Sequence, residues 1–207
     1  MTVQGITDKA RAILNETGEA PPLELLSEDT VRLNDYIRSV IPDAVFLISK
    51  LKECPPRYLN AGEIASGTVN ADDGCTTAVL PADFIRLVAV RLEGWKREVQ
   101  SVFPYGSEEY KKQHNAITRS GVNKPVCVFA NSQNNDTIEC FPSGDILYFR
   151  YVANLSEIND NELGKLGDEL FESICYMCAY LVYSIFENPG TADRMKTIAI
   201  EMLPTDL

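Results

Sequence analysis

Residues Leu80 to Gln100 read Leu-Pro-Ala-Asp-Phe-Ile-Arg-Leu-Val-Ala-Val-Arg-Leu-Glu-Gly-Trp-Lys-Arg-Glu-Val-Gln. This stretch predicts a β-hairpin. Phe84 to Leu92 is rich in Phe, Ile, Val and Leu, side chains that suit a pleated surface. Glu93-Gly94 is the turn, because glycine accepts positive φ without steric cost. Trp95 to Val99 is the returning strand. Pro81 fixes φ and Asp83 offers a side-chain acceptor, so Pro81-Ala82-Asp83 reads as a tight corner leading into the first strand. No nucleophile–base pair and no phosphate loop lies within it.

Outward from the hairpin, the middle of the chain continues to read as sheet. Gly74 to Leu80 predicts a short strand, and Tyr58 to Asp73, rich in Gly, Ala and Asp, predicts a loop. Pro125–Ala130, Thr137–Phe141 and Ile146–Val152 predict three more strands, with turns at Asn131–Asn135 and Pro142–Asp145. Consecutive strands with short turns imply a local antiparallel meander. Between hairpin and meander, Ser107 to Asn115 predicts a polar helix capped by Ser107, with Glu108-Glu109 at its positive end.

Both flanks read as helix. Thr7 to Glu16 predicts a short helix, followed by Gly18 and Pro21-Pro22. Ser27 caps a second, with Leu26 able to staple onto Val31. Leu33, Ile37, Val40, Ile41, Ala44, Val45, Ile48 and Leu51 form its apolar face, and Pro42 predicts a kink or two abutting helices. Pro55-Pro56 ends that segment. Asn159-x-x-Glu162 resembles a capping box opening a long helix to Glu187. Leu163, Leu166, Leu170, Ile174, Met177, Cys178, Leu181 and Ile185 share one face, widened by Phe171, Cys175, Val182 and Phe186. Such a helix is sandwiched, inside the domain or against a neighbouring subunit. Asn188-Pro189-Gly190 stops it. Thr191 caps a last helix carrying Met195, Ile198, Ala199 and Met202. The fold class is therefore α+β: a helical bundle of N- and C-terminal helices with a small antiparallel β-sheet and hairpin inserted. We read 1–207 as a single domain, with N-terminal helices at 1–57, a β-rich insertion at 74–152 holding the short helix near 107–115, and a C-terminal helical pair at 159–203.

The totals narrow the function. The chain has 207 residues and a formal net charge of −11, which argues against nucleic-acid binding as its main task. The distribution is uneven. Residues 86–124 hold 8 Lys/Arg against 4 Asp/Glu, whereas 151–207 hold 3 against 10. Two independently solvated surfaces explain this. So does a head-to-tail assembly in which the basic part of one subunit faces the acidic part of the next. No stretch is apolar enough for a membrane span, and Met1–Lys9 has no basic or apolar leader pattern, so a reducing cytoplasm is the expected setting. The six cysteines, Cys54, Cys75, Cys127, Cys140, Cys175 and Cys178, then read as free buried thiols.

Candidate chemistry reduces to structure at each motif. Cys175-x-x-Cys178 lies in mid-helix among Ile174, Met177 and Tyr180, without a second ligand pair for zinc and away from a thiolate-stabilising helix N-terminus, so it reads as core. His114, the only histidine, reads as neutral surface. Asn159–Gly164 resembles a calcium loop but lacks the fifth-position oxygen, and capping explains it better. Asp72-Asp73-Gly74 reads as a turn. Neither a phosphate-binding glycine loop nor a Gly-x-Ser-x-Gly elbow occurs, so the enzyme hypothesis, a hydrolase included, has no positive support. No catalytic residue, metal or cofactor is assigned. Trp95, Phe103 and Tyr105 near Arg91, Lys96, Arg97, Lys111 and Lys112 suit a single-strand platform or a protein interface, and the acidic total favours protein.

The corner Pro81-x-Asp83-Phe84-x-x-Leu87, the pair Gly94-Trp95, and the closing Leu181-Val-Tyr-Ser-Ile-Phe186…Ala192-x-x-Met195-x-x-x-Ala199 resemble the head-to-tail adaptor (connector) proteins of tailed bacteriophages. The resemblance spans about residues 25–203. It implies a structural virion protein, not an enzyme, assembled in the bacterial cytoplasm and resident at the head–tail junction. It implies a ring of about twelve copies between the portal protein and a downstream tail or ring protein. Double-stranded DNA would pass the lumen without specific binding, since lumenal carboxylates repel phosphate. Subunit contacts are expected at Arg91, Trp95, Arg97, Lys111 and Lys112 on one side and Asp168, Glu169 and Glu172 on the other. Adaptors of this kind often dock into the portal by an extended C-terminal segment, and here only Pro204–Leu207 follow the last helix. A more distal tail ring, or a monomeric or dimeric protein-binding module of a phage, is the alternative.

Overall fold

A computed structural model describes residues 1–16, 27–131, 136–186 and 188–205. The turns expected at Gly18, Pro21-Pro22 and 132–135, the Leu26–Val31 staple, the Ser27 cap and the helix end at Glu187 fall outside the described residues and side chains. In chain order the elements are α1 (Val3–Glu16), α2 (Ser27–Lys50), β1 (Ala61–Glu63), β2 (Thr68–Asn70), β3 (Cys75–Val79), β4 (Phe84–Leu92), β5 (Val102–Phe103), α3 (Glu108–Gln113), β6 (Val126–Phe129), β7 (Thr137–Phe141), β8 (Ile146–Ala153), α4 (Asp160–Leu163), α5 (Phe171–Ile185) and α6 (Pro189–Glu201). Single 3-10 turns occur at Pro56–Tyr58 and Asp168–Leu170. The class is α+β. The chain forms two compact units, Met1–Asn60 with Asn154–Leu207, and Ala61–Ala153.

The first unit is helical. Helix α5 packs against α1, α2 and α6, and α1 packs against α2. Its core gathers Ile6, Ala10 and Ile13 of α1, Ile37, Ile41, Ala44 and Ile48 of α2, Ile174, Cys175, Met177 and Cys178 of α5, and Met195 and Ala199 of α6. The residues of α2, α5 and α6 belong to the apolar faces read from sequence, although Met202, expected on the last of them, is exposed. Helix α2 runs unbroken through Pro42, so the two-helix alternative fails.

Three helix boundaries differ from expectation, two for capping reasons and one for a tertiary contact. α1 begins at Val3 rather than Thr7. Thr2 Oγ1 accepts from the Gly5 amide at 3.0 Å and Asp160 Oδ1 from the Val3 amide at 2.8 Å, so two early donors are already satisfied. Thr7 is buried inside the helix and donates to the Val3 carbonyl at 2.8 Å. α6 is capped by Asn188, whose side chain accepts from the Thr191 amide, with Pro189 at the first helical position. Asn159 does cap a helix, accepting from the Glu162 amide at 2.9 Å. That helix stops after one turn, and the long helix expected from 159 starts only at Phe171. The break falls where the Gly167 amide donates to the Tyr58 carbonyl at 2.8 Å and a Cβ at Gly167 would press on the Tyr58 ring. A tertiary hydrogen bond here replaces the helical one.

The second unit holds two sheets. One has the order β1-β8-β4, the other β2-β3-β7-β6-β5. All pairs are antiparallel except β5 with β6. Strand β4 occupies the predicted residues, but its hairpin does not form as read. The chain does turn at Gly94, φ 82°, with the Trp95 amide donating to the Leu92 carbonyl at 3.1 Å. The return then contributes only one bridge, Val90 with Val99. The reason is Trp95. It is 2 % exposed and its Nε1–H donates to the Pro142 carbonyl at 2.8 Å. A chain that turns its indole into the core cannot lie flat beside β4. Instead β8 pairs with β4 along its length.

That pairing also overturns the meander. β6 and β7 form the expected local pair, whereas β8 crosses to the other sheet. The crossing segment 142–145 is tied on both sides. Thr76 Oγ1 donates to the Gly144 carbonyl at 2.7 Å, the Ser143 amide donates to the Gly74 carbonyl at 3.0 Å, and the Glu93 amide donates to the Asp145 carbonyl at 2.8 Å. The 58–73 stretch is not all loop: it supplies β1 and β2. The turn at Asp72-Asp73-Gly74 joins β2 to β3, with Gly74 at φ 62°. The apolar interior of this unit joins Ala78, Leu87, Val90, Leu92, Trp95, Cys127, Ile138, Cys140, Phe149 and Tyr151.

The Tyr151 ring covers Gly62 so closely that any Cβ there would overlap it. Gly62→Ala should destabilise the protein by about 1–3 kcal/mol in urea unfolding, since overpacking forces the ring or strand to move. Gly121→Ala, where nothing lies within 4 Å of the new methyl, is the control and should change stability little.

Candidate functional site

The basic residues singled out by sequence belong to the second unit, and most of them are solvent-facing. Lys96, Arg97, Lys111, Lys112 and Lys124 are exposed. The Lys96 amide donates to the Val122 carbonyl at 2.9 Å, which lays the segment after the Gly94 turn against the segment leading to Lys124. Ser107 caps α3 by accepting from the Tyr110 amide, as the sequence predicts, and α3 carries Lys111 and Lys112. Lys112 also reaches Glu109 at 3.3 Å, one turn earlier. Arg97 and Lys111 pair with no carboxylate among the described residues, and their charges are available to a partner.

Arg91 is half-buried, and one of its Nη groups donates to the Trp95 carbonyl at 3.2 Å. Trp95 itself leaves the contact set. Its indole is core, and Trp→Ala in a core costs about 3–5 kcal/mol, so its loss would unfold before it could report on binding. The single-strand platform loses its central aromatic for the same reason.

The acidic residues belong to the first unit and divide similarly. Asp168 is exposed and ion-paired to the Met1 amine at 3.0 Å. Glu172 pairs with Lys9 at 3.3 Å, and its hydrogen bond and charge raise the Lys9 pKa above the ordinary lysine value. Glu169 is exposed. Two of the three carboxylates expected at a neighbour are therefore engaged within the subunit, in exposed pairs that contribute about 1 kcal/mol or less.

The remaining motifs have positive structural roles. His114 is not free surface. Its Nε2 lies 3.0 Å from Glu139 Oε2, and its ring centroid lies 4.2 Å from Tyr110 and 5.7 Å from Phe141, fastening α3 to the sheet. Cys175 and Cys178 are buried in α5. Burial pushes the Cys175 thiol up to about 12 and raises Cys178 as well, the opposite of an activated thiolate. Among the described residues no cluster of three or more His, Cys, Asp or Glu is placed to hold a metal ion, and no helix is long and apolar enough to cross a membrane. A cleft of about 440 Å³ in the first unit is lined by Pro42, Asp43, Phe46 and residues 154–158. Asp43 and Glu157 are its titratable side chains.

Sequence reasoning missed one network on the surface. Glu98 accepts from the Tyr148 hydroxyl at 2.7 Å and from Gln100 at 2.7 Å. Arg150 lies over the Tyr148 ring and bonds Glu63 at 3.3 Å. The pairing of β8 with β1 and with β4 makes this network, so no local pattern could have announced it.

The chemistry-bearing groups singled out by sequence thus serve packing, capping and surface charge. Over residues 1–201 the chain matches the family described as SU10 adaptor protein, and it belongs to that family of phage head–tail adaptors. It is a structural phage protein and a virion component. No curated protein matches it.

The Glu98 network carries a pH signature. Glu98 sits below the usual glutamate range, first because of the Tyr148 hydroxyl and then Gln100. A depressed carboxylate adds stability above its unfolded pKa and loses it as pH falls through the lower folded value. Tyr148→Phe should move the Glu98 pKa up toward the ordinary glutamate value in a carboxyl-carbon NMR titration. An unmoved Glu98 would contradict the assignment.

Proposed function

We propose that this chain forms a homo-oligomeric ring of about twelve copies between the portal protein and the next tail component. There it extends the DNA channel and presents the surface on which the tail docks. The observation that carries the reading is the family match over residues 1–201, which supports a place between head and tail. A part in that position must contact a portal ring above, a tail component below and copies of itself at its sides.

Charge supports the lateral contact. The helical unit holds 19 Asp/Glu against 10 Lys/Arg, while the basic residues 86–124 all lie in the β-rich unit. Opposite charges on separate compact units suit a heterologous interface, the kind that closes rings. Arg97, Lys111 and Lys112 are the basic contacts kept in this reading, and Glu169 is the acidic one without a partner among the described residues. Asp168 and Glu172 would have to share or exchange their present partners. Exposed apolar side chains add to the helical side: Ile185 and Phe186 are 51 % and 54 % exposed, and Phe186 meets Tyr36 edge-on at 5.9 Å. The last turn of α5, expected to be covered, is left open on the subunit. Acidic residues along a channel would keep DNA mobile, because phosphate and carboxylate repel.

Co-expression with the portal protein of the same genome tests the reading, with electron microscopy of the purified product. A ring stacked on the portal is expected. A bare portal beside free chain favours the more distal ring or the monomeric or dimeric binding module. Arg97→Glu replaces an attraction with a repulsion and should weaken ring assembly about tenfold, corresponding to roughly 1–2 kcal/mol. The circular dichroism of the free subunit should be unchanged. Normal assembly by the variant would remove Arg97 from the interface.

A further inference from the structure

Two thiols in the β-rich unit form an arrangement that neither packing nor the adaptor role requires. Cys127 on β6 and Cys140 on β7 are directly opposite in the antiparallel register. Both are fully buried and free, and their sulfurs are 3.4 Å apart, the Cys127 thiol donating to Cys140. Each could have been any small apolar residue if filling space were the only demand. The pair that is close in sequence, Cys175 and Cys178, is arranged differently. It lies along one helix, and the Cys175 thiol points to the Ile6 carbonyl at 4.0 Å.

We propose that Cys127 and Cys140 are a poised dithiol, an oxidation site that closes to a cross-strand disulfide on exposure to a peroxide. Directly opposed residues of an antiparallel pair have Cβ atoms about 4.5–5.5 Å apart, and a disulfide takes about 3.5–4.5 Å. The sulfurs must close from 3.4 Å to about 2.05 Å, a shift that side-chain rotation and slight strand movement supply. The hydrogen bond between the thiols already aims one sulfur at the other.

The chemistry balances with one peroxide. One thiol loses its proton and its sulfur attacks a peroxide oxygen. The O–O bond breaks, hydroxide leaves and is protonated to water, and a sulfenic acid remains. The second sulfur attacks the sulfenic sulfur. An S–S bond forms, hydroxide leaves, and the second thiol proton converts it to water. Two S–H bonds and one O–O bond are consumed; one S–S bond and two waters result. A peroxide is small enough to reach the pair during brief opening of the strands, whereas a bulky disulfide reagent is not. Burial raises the Cys127 pKa, so the thiolate is scarce and closure is slow. The dithiol therefore persists in a reducing cytoplasm and reacts only on long exposure to oxidant. The closed form would tie β6 to β7, two inner strands of the five-stranded sheet, and shorten the loop available to the unfolded chain.

The test uses the full chain, native, with hydrogen peroxide as oxidant. Remaining thiols are then blocked with N-ethylmaleimide under denaturing conditions, and mass spectrometry reads the product. The expected species has four blocked cysteines instead of six, a mass lower by two maleimide adducts and two hydrogens, and a cross-linked peptide joining Cys127 to Cys140. Reduction should restore six blocked thiols. Cys140→Ser should give five blocked thiols and no cross-link to Cys127. Six blocked thiols after oxidation, sulfinic or sulfonic acid at Cys127, or a cross-link joining any other pair would overturn the proposal. The wild-type readout stands even if the Cys140→Ser chain fails to fold.

Discussion

Ala61 pairs with Val152, and the order of the chain depends on that contact. It makes the first and last strands of the β-rich unit neighbours, so the segment leaves and returns at adjacent positions. Asn60 and Asn154, the next residues outward, are themselves joined by a hydrogen bond of 3.3 Å. The helical unit can then build one core from two halves of sequence separated by the insertion. α5 finds α1 and α2 across more than a hundred residues. Loop closure of that length adds little cost per added residue when the intervening segment is itself folded.

Within the insertion, β8 carries the structure by pairing on both edges, with β1 on one side and β4 on the other. It is placed there by the tied crossing at 142–145 and by the indole of Trp95 on the Pro142 carbonyl. One part-buried hydrogen bond to a backbone carbonyl thus has two effects: it ends β4's own hairpin early and anchors the segment that brings in the true partner strand. A surface reading of Trp95 and a core reading make opposite demands, and burial decides between them.

The parts legible in sequence are those where a local pattern suffices. The apolar faces of α2 and α5, the Ser107 and Asn159 caps, the Asp72-Asp73-Gly74 turn and the residues of β3, β4, β6, β7 and β8 all follow from periodicity or turn chemistry. Partnership was not legible. Nothing near Ile146 indicates that β8 belongs with Phe84–Leu92 rather than with β7, because strand pairing is a long-range property. β1 and β2 are three residues each, too short for alternation to show. The break at Gly167 reflects a contact with Tyr58, more than a hundred positions away. For the surface, sequence located the basic and acidic residues, and the structure was needed to separate free charges such as Arg97 from those already paired, such as Glu172 with Lys9.

On the proposed reading, charge and exposed apolar surface are the working parts of the molecule. Family membership supplies the setting, and on the proposed reading the division of charge between two compact units is what closes a ring. The most direct measurement is a cryo-electron microscopy map of the mature particle carrying this chain, with the junction between head and tail resolved well enough to place side chains. The account predicts a closed ring of this chain at that junction, with Arg97 and Lys111 of each copy facing carboxylates of the next. A map in which the chain is absent from the junction, or present as isolated copies without mutual contact, would contradict it.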